Sequence, residues 1–432
     1  MRETFWIAAT VILGCSLAVS QQYKVLWSFG GAAAGDGAQP LGGLVLDAKG
    51  NLYGTTEYGG SSSSPDCPNV GCGSVFELSP SQDSGWTETT IYSFCTNSSN
   101  GYCVDGAYPL GSLIFDAAGN LYGTTSGGGR PECPLGYPPG CGTIFELSPP
   151  TSGGGAWTEA AIYNFCANGI TDCLDGAEPR GKLVFDRSGN LYGTTWTSGA
   201  NNAGTVFELS PSDSGWSETV LYNFCSIGQL GEYCQDGAAP DAGVTFDNSG
   251  NLYGTTQEGG SKKYTGGGVV YELSRSLQGW SETVLYALDA PDHRTGYGLY
   301  GEVNFDQLGN LYSTAVGGGS NQGGTVFRLS PKKSKQVTFS FGTSEGYGPL
   351  AGVLIDPRND NLYGTTSVGG PANSGNVFKL SGKRETVLYS FTGGADGGQP
   401  VAALTADKAG NLYGTAKVGG ASGNGVVFEI TP

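Results

Sequence analysis

The chain is poor in charge, in histidine and in long apolar runs, and each shortage removes a class of function. Asp, Glu, Lys and Arg make up 14% of its 432 residues, with 21 basic residues against 38 acidic ones. A formal net charge of −17 argues against partners made of nucleic acid or anionic membrane, which need clustered Lys and Arg. The single histidine, His293, rules out a His-rich metal centre. No phosphate loop and no C-x₂-C spacing is present. Beyond the first twenty residues no apolar run approaches the length of a membrane span. No segment longer than one strand carries helical periodicity.

What is abundant is glycine, 76 residues, with aromatics at 11% and no collagen period. That composition describes aromatic strands joined by many tight turns. The first twenty residues stand apart. Arg2, an apolar run from Phe5 to Leu13 and then Ala18-Val19-Ser20 read as a secretory signal peptide cleaved before Gln21. The expected mature domain is 21–432, secreted or periplasmic, without a transmembrane segment, and monomeric. Cys15, after Ile12-Leu13-Gly14, offers lipid attachment as an alternative. The sequence stops at Pro432 without a hydrophobic tail, so no C-terminal anchor is expected.

The hexapeptide Asn-Leu-Tyr-Gly-Thr-Thr, or a close variant, begins at Asn51, Asn120, Asn190, Asn251, Asn310, Asn361 and Asn411. It is the second of four strand-like runs in each repeat. The first resembles Leu44-Val45-Leu46-Asp47 and the third Ser74-Val75-Phe76-Glu77-Leu78. The fourth opens on Trp86, Trp157, Trp216 or Trp280 in the first four repeats and lacks the tryptophan afterwards. An Asp-x-x-Gly-Asn hairpin joins the first two runs, wider by one residue at Asp356. Seven four-stranded units predict an all-β, seven-bladed β-propeller. The chain opens on a fourth-type strand, Tyr23 to Phe29, and closes on a third-type strand, Val426 to Ile430. Donation of the N-terminal strand to the last blade would close the ring and leave no free edge. Seven blades each contiguous in sequence are the other phasing.

The repeats carry Asp-Gly-Ala-x-Pro, then Leu-x-Phe-Asp-x-x-Gly-Asn-Leu-Tyr-Gly-Thr-Thr, then Gly-Thr-Val-Phe-Glu-Leu-Ser-Pro. Over nearly all of 21–432 this resembles the GloVer-type repeat of exported bacterial proteins. The resemblance implies export and a propeller-like array, and no established activity. More distantly, the Asp-x-x-Gly-Asn-Leu-Tyr hairpin resembles that of NHL and gluconolactonase-type propellers.

Ten cysteines beyond Cys15 fall into near pairs: Cys67 and Cys72, Cys95 and Cys103, Cys133 and Cys141, Cys166 and Cys173, Cys225 and Cys234. Local disulfides are expected, with zinc as the competing reading. All five pairs belong to loops at one end of the propeller, which is thereby elaborated while the other end stays plain. Binding sites concentrate on such loops. Tyr58 and Trp196 follow the second strand at that end, are not repeated, and are candidate sugar-stacking rings. His293 sits where the fifth repeat departs from the pattern and is a further ligand-binding candidate.

Asp36, Asp105, Asp175, Asp236 and Asp396 open the connector motif, with Glu345 in the same place in the sixth repeat. Two readings stand: carboxylates around the channel mouth that bind a hard cation such as Ca²⁺, or turn formers that start each blade. No catalytic residue can be assigned. The function expected first is an exported binding or surface-interaction propeller for carbohydrate or another cell-surface component. The alternatives are a metal-dependent hydrolase or lactonase using channel-mouth carboxylates, and a purely structural cell-envelope protein.

Overall fold

A computed structural model describes residues 21–431 except for 62–66, 82–84, 100–101, 131–132, 134–139, 152–154, 168–172, 214, 230–232, 261–265, 278, 289–295, 333–334 and 343–345. The expected signal segment, Cys15, His293 and Glu345 therefore lie outside the described residues. Seven four-stranded antiparallel sheets form the blades of a β-propeller. Among the described residues there is no α-helix, only a 3₁₀ turn at Ala32–Ala34, and no helix long and apolar enough to cross a membrane.

Blade 1 is typical. Its strands are Val45–Leu46, Leu52–Thr56, Ser74–Pro80 and Trp86–Ser93, hydrogen-bonded in sequence order. The second strand is buried throughout, as a central strand covered on both faces must be. The first strands are shorter than the sequence suggested. Their leading residues run along the channel, where their carbonyls accept hydrogen bonds from the neighbouring blade rather than from their own sheet.

The last blade consists of Thr405–Ala406, Leu412–Ala416, Val426–Thr431 and, from the other end of the chain, Gln22–Ser28. The shared-blade phasing is the correct one. The N-terminal segment is a full fourth strand, down to its irregularity. In blade 1 the pairing of third and fourth strands shifts between Val75 and Phe76, and Ile91 bulges out. In the last blade it shifts between Val25 and Trp27, and Leu26 bulges out.

The hexapeptide explains how blades adhere. Its first threonine donates its hydroxyl to a channel-side carbonyl of the following blade at every junction. The bonds are Thr55 to Gly111 at 3.1 Å, Thr124 to Gly181 at 3.3 Å, Thr194 to Ala242 at 2.9 Å and Thr255 to Gly301 at 3.0 Å. They continue with Thr314 to Ala351 at 2.9 Å, Thr365 to Ala402 at 3.1 Å and Thr415 to Gly42 at 3.3 Å. Its tyrosine reaches the other way along the blade surface. Tyr53 bonds Asp47 of the hairpin at 3.4 Å and packs edge-on against Phe115, 5.2 Å, and Trp157, 6.1 Å, of blade 2. The repeated tryptophans are thus packing residues between blades. Further out, Phe94 meets Phe145 at 5.0 Å, and the same contact closes the ring as Phe29 on Phe76 at 5.1 Å. Each such buried ring contributes on the order of 1.5–3 kcal/mol.

Asp47 accepts the amides of Lys49 and Asn51 and the side-chain amide of Asn51, while Gly50 takes φ of 88°. In the wider sixth hairpin Asp360 supplies the left-handed position, φ 56°, and Arg358 bridges Asp356 at 2.9 Å.

Candidate functional site: the channel mouth

The segments preceding the seven first strands converge on the propeller axis and line a channel of about 380 Å³. Most of its lining residues are small or apolar, such as Gly42, Leu110, Ala351 and Val401. Blades 3 to 5 break the pattern. Where other repeats place Leu41, Leu110, Leu350 or Val401, these carry Arg180, Asp241 and Tyr300. A second cavity of about 580 Å³ opens beside it on the loop-rich end, walled by blades 1 to 3. Tyr58 and Trp196 both line it, together with Tyr108, Glu57, Ser126, Glu178 and Arg180.

Arg180 joins the two cavities. Its guanidinium lies 2.7 Å from Glu178, 3.5 Å from Asp241 and 3.9 Å from the centroid of the Trp196 ring. One face of Trp196 is therefore covered by a cation. Arg180 Nε and Trp196 Nε1 are buried without a hydrogen-bond partner. Desolvation lifts the Asp241 carboxyl above the usual carboxylate range, and Arg180 only partly offsets it. Desolvation also raises Glu57, against the pull of Lys417 and Arg180. The hydroxyl of Tyr58 is pushed up to about 12 by burial and by Glu57 beside it. The mouth thus gathers aromatic rings, carboxylate acceptors and a guanidinium around one space.

The connector aspartates are elsewhere. None is among the residues lining the channel. Asp105 accepts from Tyr92 at 2.7 Å and from the amides of Cys95, Thr96 and Asn97, each at 3.1 Å. Asp175 accepts from Tyr163 and Ala167, and Asp236 from Tyr222, Ser226 and Ile227. Asp36 holds Gly30, Gly37 and Trp27, and Asp396 holds Tyr389 and Thr392. Each carboxylate ties its own connector to the fourth strand of the blade before it. Among the described residues no three carboxylates come within reach of one ion. The groups that do so are cysteines.

All five local cysteine pairs lie at bonding distance: Cys67–Cys72, Cys95–Cys103, Cys133–Cys141, Cys166–Cys173 and Cys225–Cys234. The sequence did not foresee their association. The bridge between strands two and three of one blade packs on the bridge of the connector leaving it, with Cys72 and Cys103 sulfurs 3.8 Å apart. Cys141 also lies within bonding reach of Cys166, so Cys133, Cys141, Cys166 and Cys173 form one buried group. Blade 3 has no cysteine between its second and third strands, and Cys225–Cys234 stands alone.

Tyr58 and Trp196, the two ring candidates of the sequence, line one cavity; Arg180, Glu178 and Glu57 beside them, and Asp241 next to Arg180, were not among the candidates. A signal was available. The residue after each hexapeptide reads Glu57, Ser126, Trp196, Gln257, Val316, Ser367 and Lys417, six residue types in seven copies beside an otherwise near-constant motif.

Seven four-stranded blades around a channel, with variable side chains at one mouth, define a seven-bladed β-propeller. The chain belongs to the Gloeobacter/Verrucomicrobia repeat family, whose pattern matches residues 14–171, 69–300 and 243–432. None of the curated proteins matches it. Among solved structures it is similar to puromycin hydrolase, 11% identical with a TM-score of 0.51, over 89% of this chain and 51% of that one. A candidate 6-phosphogluconolactonase of Bacteroides uniformis is 15% identical, TM-score 0.45, over 80% of this chain and 83% of the other. A gluconolactonase of Xanthomonas campestris is 13% identical, TM-score 0.37, over 67% and 81%. At these identities the likeness shows the fold alone.

Proposed function

We propose that this protein is an exported binding propeller whose ligand is a carbohydrate or a similarly polyhydroxylated group, held at the channel mouth. The observation that carries the reading is the shared cavity: Tyr58 and Trp196, distant in sequence, line the same space of about 580 Å³. The rings of Tyr58 and Trp196 suit the C–H face of a sugar, which stacks on the electron-rich face of an aromatic ring. Glu57 and Glu178 suit its hydroxyl protons, and the guanidinium of Arg180, which lines the cavity, suits its oxygens. The paired cysteines and the N-terminal segment support export.

A glycan screen followed by calorimetry on the mature chain tests this. Binding is expected, with Trp196→Ala and Tyr58→Ala each weakening it at least about tenfold, or about 1.4 kcal/mol. A screen without hits, or hits that both variants leave unchanged, overturns it.

A further inference from the structure

The channel narrows to a waist, and two charged side chains stand there. A cavity of about 310 Å³ opens on the plain end of the axis and meets the channel of about 380 Å³ that leads to the loop-rich mouth. Gly43, Ser112, Lys182, Glu302 and Ala403 line both. All five hold the same place in their repeats, directly before the apolar residue that leads into the first strand, and Gly243 and Gly352 hold it in the other two blades. The waist is thus a ring of seven equivalent positions, mostly Gly, Ser or Ala. Blades 3 and 5 alone place long side chains in it, Lys182 and Glu302, and these carry opposite charges.

The backbone keeps the space between them open. Blade 4 lies between blades 3 and 5, and a Cβ on its Gly243 would stand 2.0 Å from the Lys182 carbonyl. On the far side of Glu302, a Cβ on Gly352 would stand 2.6 Å from the Glu302 carbonyl. Neither place accepts a side chain unless backbone moves. Across this gap Lys182 and Glu302 do not meet. Among the described residues neither takes part in an ion pair or a side-chain hydrogen bond, whereas Arg180 and Asp241, one turn of the wall nearer the mouth, pair at 3.5 Å. Charges set in such a recess are screened less than charges on an open surface and gain more from a counter-charge. The other half of the wall is apolar. Leu350, Val401, Leu41 and Leu110 come from blades 6, 7, 1 and 2, which follow one another around the ring.

We propose that the waist binds a free α-amino acid with an apolar side chain. Its carboxylate meets Lys182, its ammonium group meets Glu302, and its side chain lies against the leucines and Val401. One ligand with both charges satisfies both side chains at once through charge-assisted hydrogen bonds. The channel volume falls in the lower part of the range for small-molecule pockets, roughly 300–1,000 Å³. The site is distinct from the outer cavity of about 580 Å³, with which the channel shares only Leu110 and Arg180 among the described lining residues.

Titration of the mature, full-length chain with L-leucine, 3-methylbutylamine and 4-methylpentanoate, followed by calorimetry and ligand-observed NMR, tests the proposal. The second probe is leucine without its carboxylate and the third is leucine without its ammonium group. Leucine is expected to bind at roughly 0.1–1 mM, as suits a probe of its size. Each half-probe should bind at least about tenfold more weakly, because one charge of the waist is left unmatched. Lys182→Met should remove the advantage of leucine over 3-methylbutylamine, and Glu302→Gln its advantage over 4-methylpentanoate. Neither substitution removes a hydrogen bond of the fold, so both variants should keep the parent melting temperature, and the half-probes on the parent chain test the charge pairing without any substitution. No leucine binding up to about 10 mM, equal affinity for the three probes, or folded variants in which leucine keeps its full advantage overturns the proposal.

Discussion

The Thr415 hydroxyl donates to the carbonyl of Gly42 at 3.3 Å, and with that bond residues near opposite ends of the sequence complete the ring of seven. Thr415 is 1% exposed, so its removal strands a polar group away from water. Thr415→Val should destabilise the fold by about 1–3 kcal/mol, the cost of an unsatisfied buried acceptor. Urea unfolding of the variant against the parent chain measures it. An unchanged midpoint would mean that the seam is held by other contacts.

The donated strand closes the same seam from outside. Tyr23 stacks on Tyr389 at 3.7 Å, and Phe29 is fully buried against Phe76. Removing 21–29 should expose the edge of Val426–Thr431 and produce a chain that aggregates or melts far below the parent. A synthetic peptide of that sequence added in trans should restore the parent melting temperature. Failure of the peptide to bind would contradict the role of the N-terminal strand as the clasp.

The glycine of the hexapeptide is fixed by packing rather than by backbone conformation. A Cβ on Gly123 would lie 2.5 Å from the tip of the Phe145 ring, and Gly54 meets Phe76 the same way at 2.6 Å. Gly123→Ala should therefore cost about 1–3 kcal/mol through overpacking. Shortening the ring with Phe145→Leu in the same chain should recover part of that loss, which a double-mutant cycle in denaturant reads directly.

The cysteine pairs predict a chemical count. The unfolded mature chain should show no free thiol among Cys67 to Cys234 until a reductant is added. Replacing Cys225 and Cys234 together by Ala should cost about 2–3 kcal/mol, since they close a short loop that no neighbouring bridge supports. Thiol titration and denaturant melts decide both points.

The features readable from sequence were those that obey one physical requirement seven times over. The hexapeptide, the Asp-Gly hairpin and the aromatic ends of the fourth strands announce blades because each junction needs the same bond or ring contact. Direction was harder to read. The connector aspartates sit beside the first strands in sequence, which suggested the channel, yet Asp105 turns toward Tyr92 and its connector amides. A turn motif fixes which residues are near, not which way a carboxylate points. Arg180 and Asp241 escaped notice for a different reason. Their roles depend on Trp196 and on each other across blades, and only comparing equivalent positions along the repeats reveals them.

The last expectation concerns pH. Glu88, Glu159, Glu218 and Glu282 occupy equivalent places on the fourth strands of blades 1 to 4. Burial raises each, and a connector aspartate adds to it: Asp36 for Glu88, Asp105 for Glu159, Asp175 for Glu218 and Asp236 for Glu282. The carboxyls are held at about 7, about 7, about 8 and about 7, above an ordinary value of 4.5. The folded chain thus binds more protons than the unfolded chain between these values, so stability is greatest on the acid side and falls as pH rises through the folded values. Asp186, Asp356 and Asp396 are lowered by the hydrogen bonds they accept and act in the opposite sense only at lower pH. The melting temperature should therefore decline between about pH 5 and pH 8, by less than full burial would give because these side chains are partly screened by water. Glu218→Gln mimics the protonated form. It should raise the melting temperature at pH 8, leave it nearly unchanged at pH 5, and flatten the slope between. A parent chain whose stability rises over the same interval would show that the paired carboxylates do not set it.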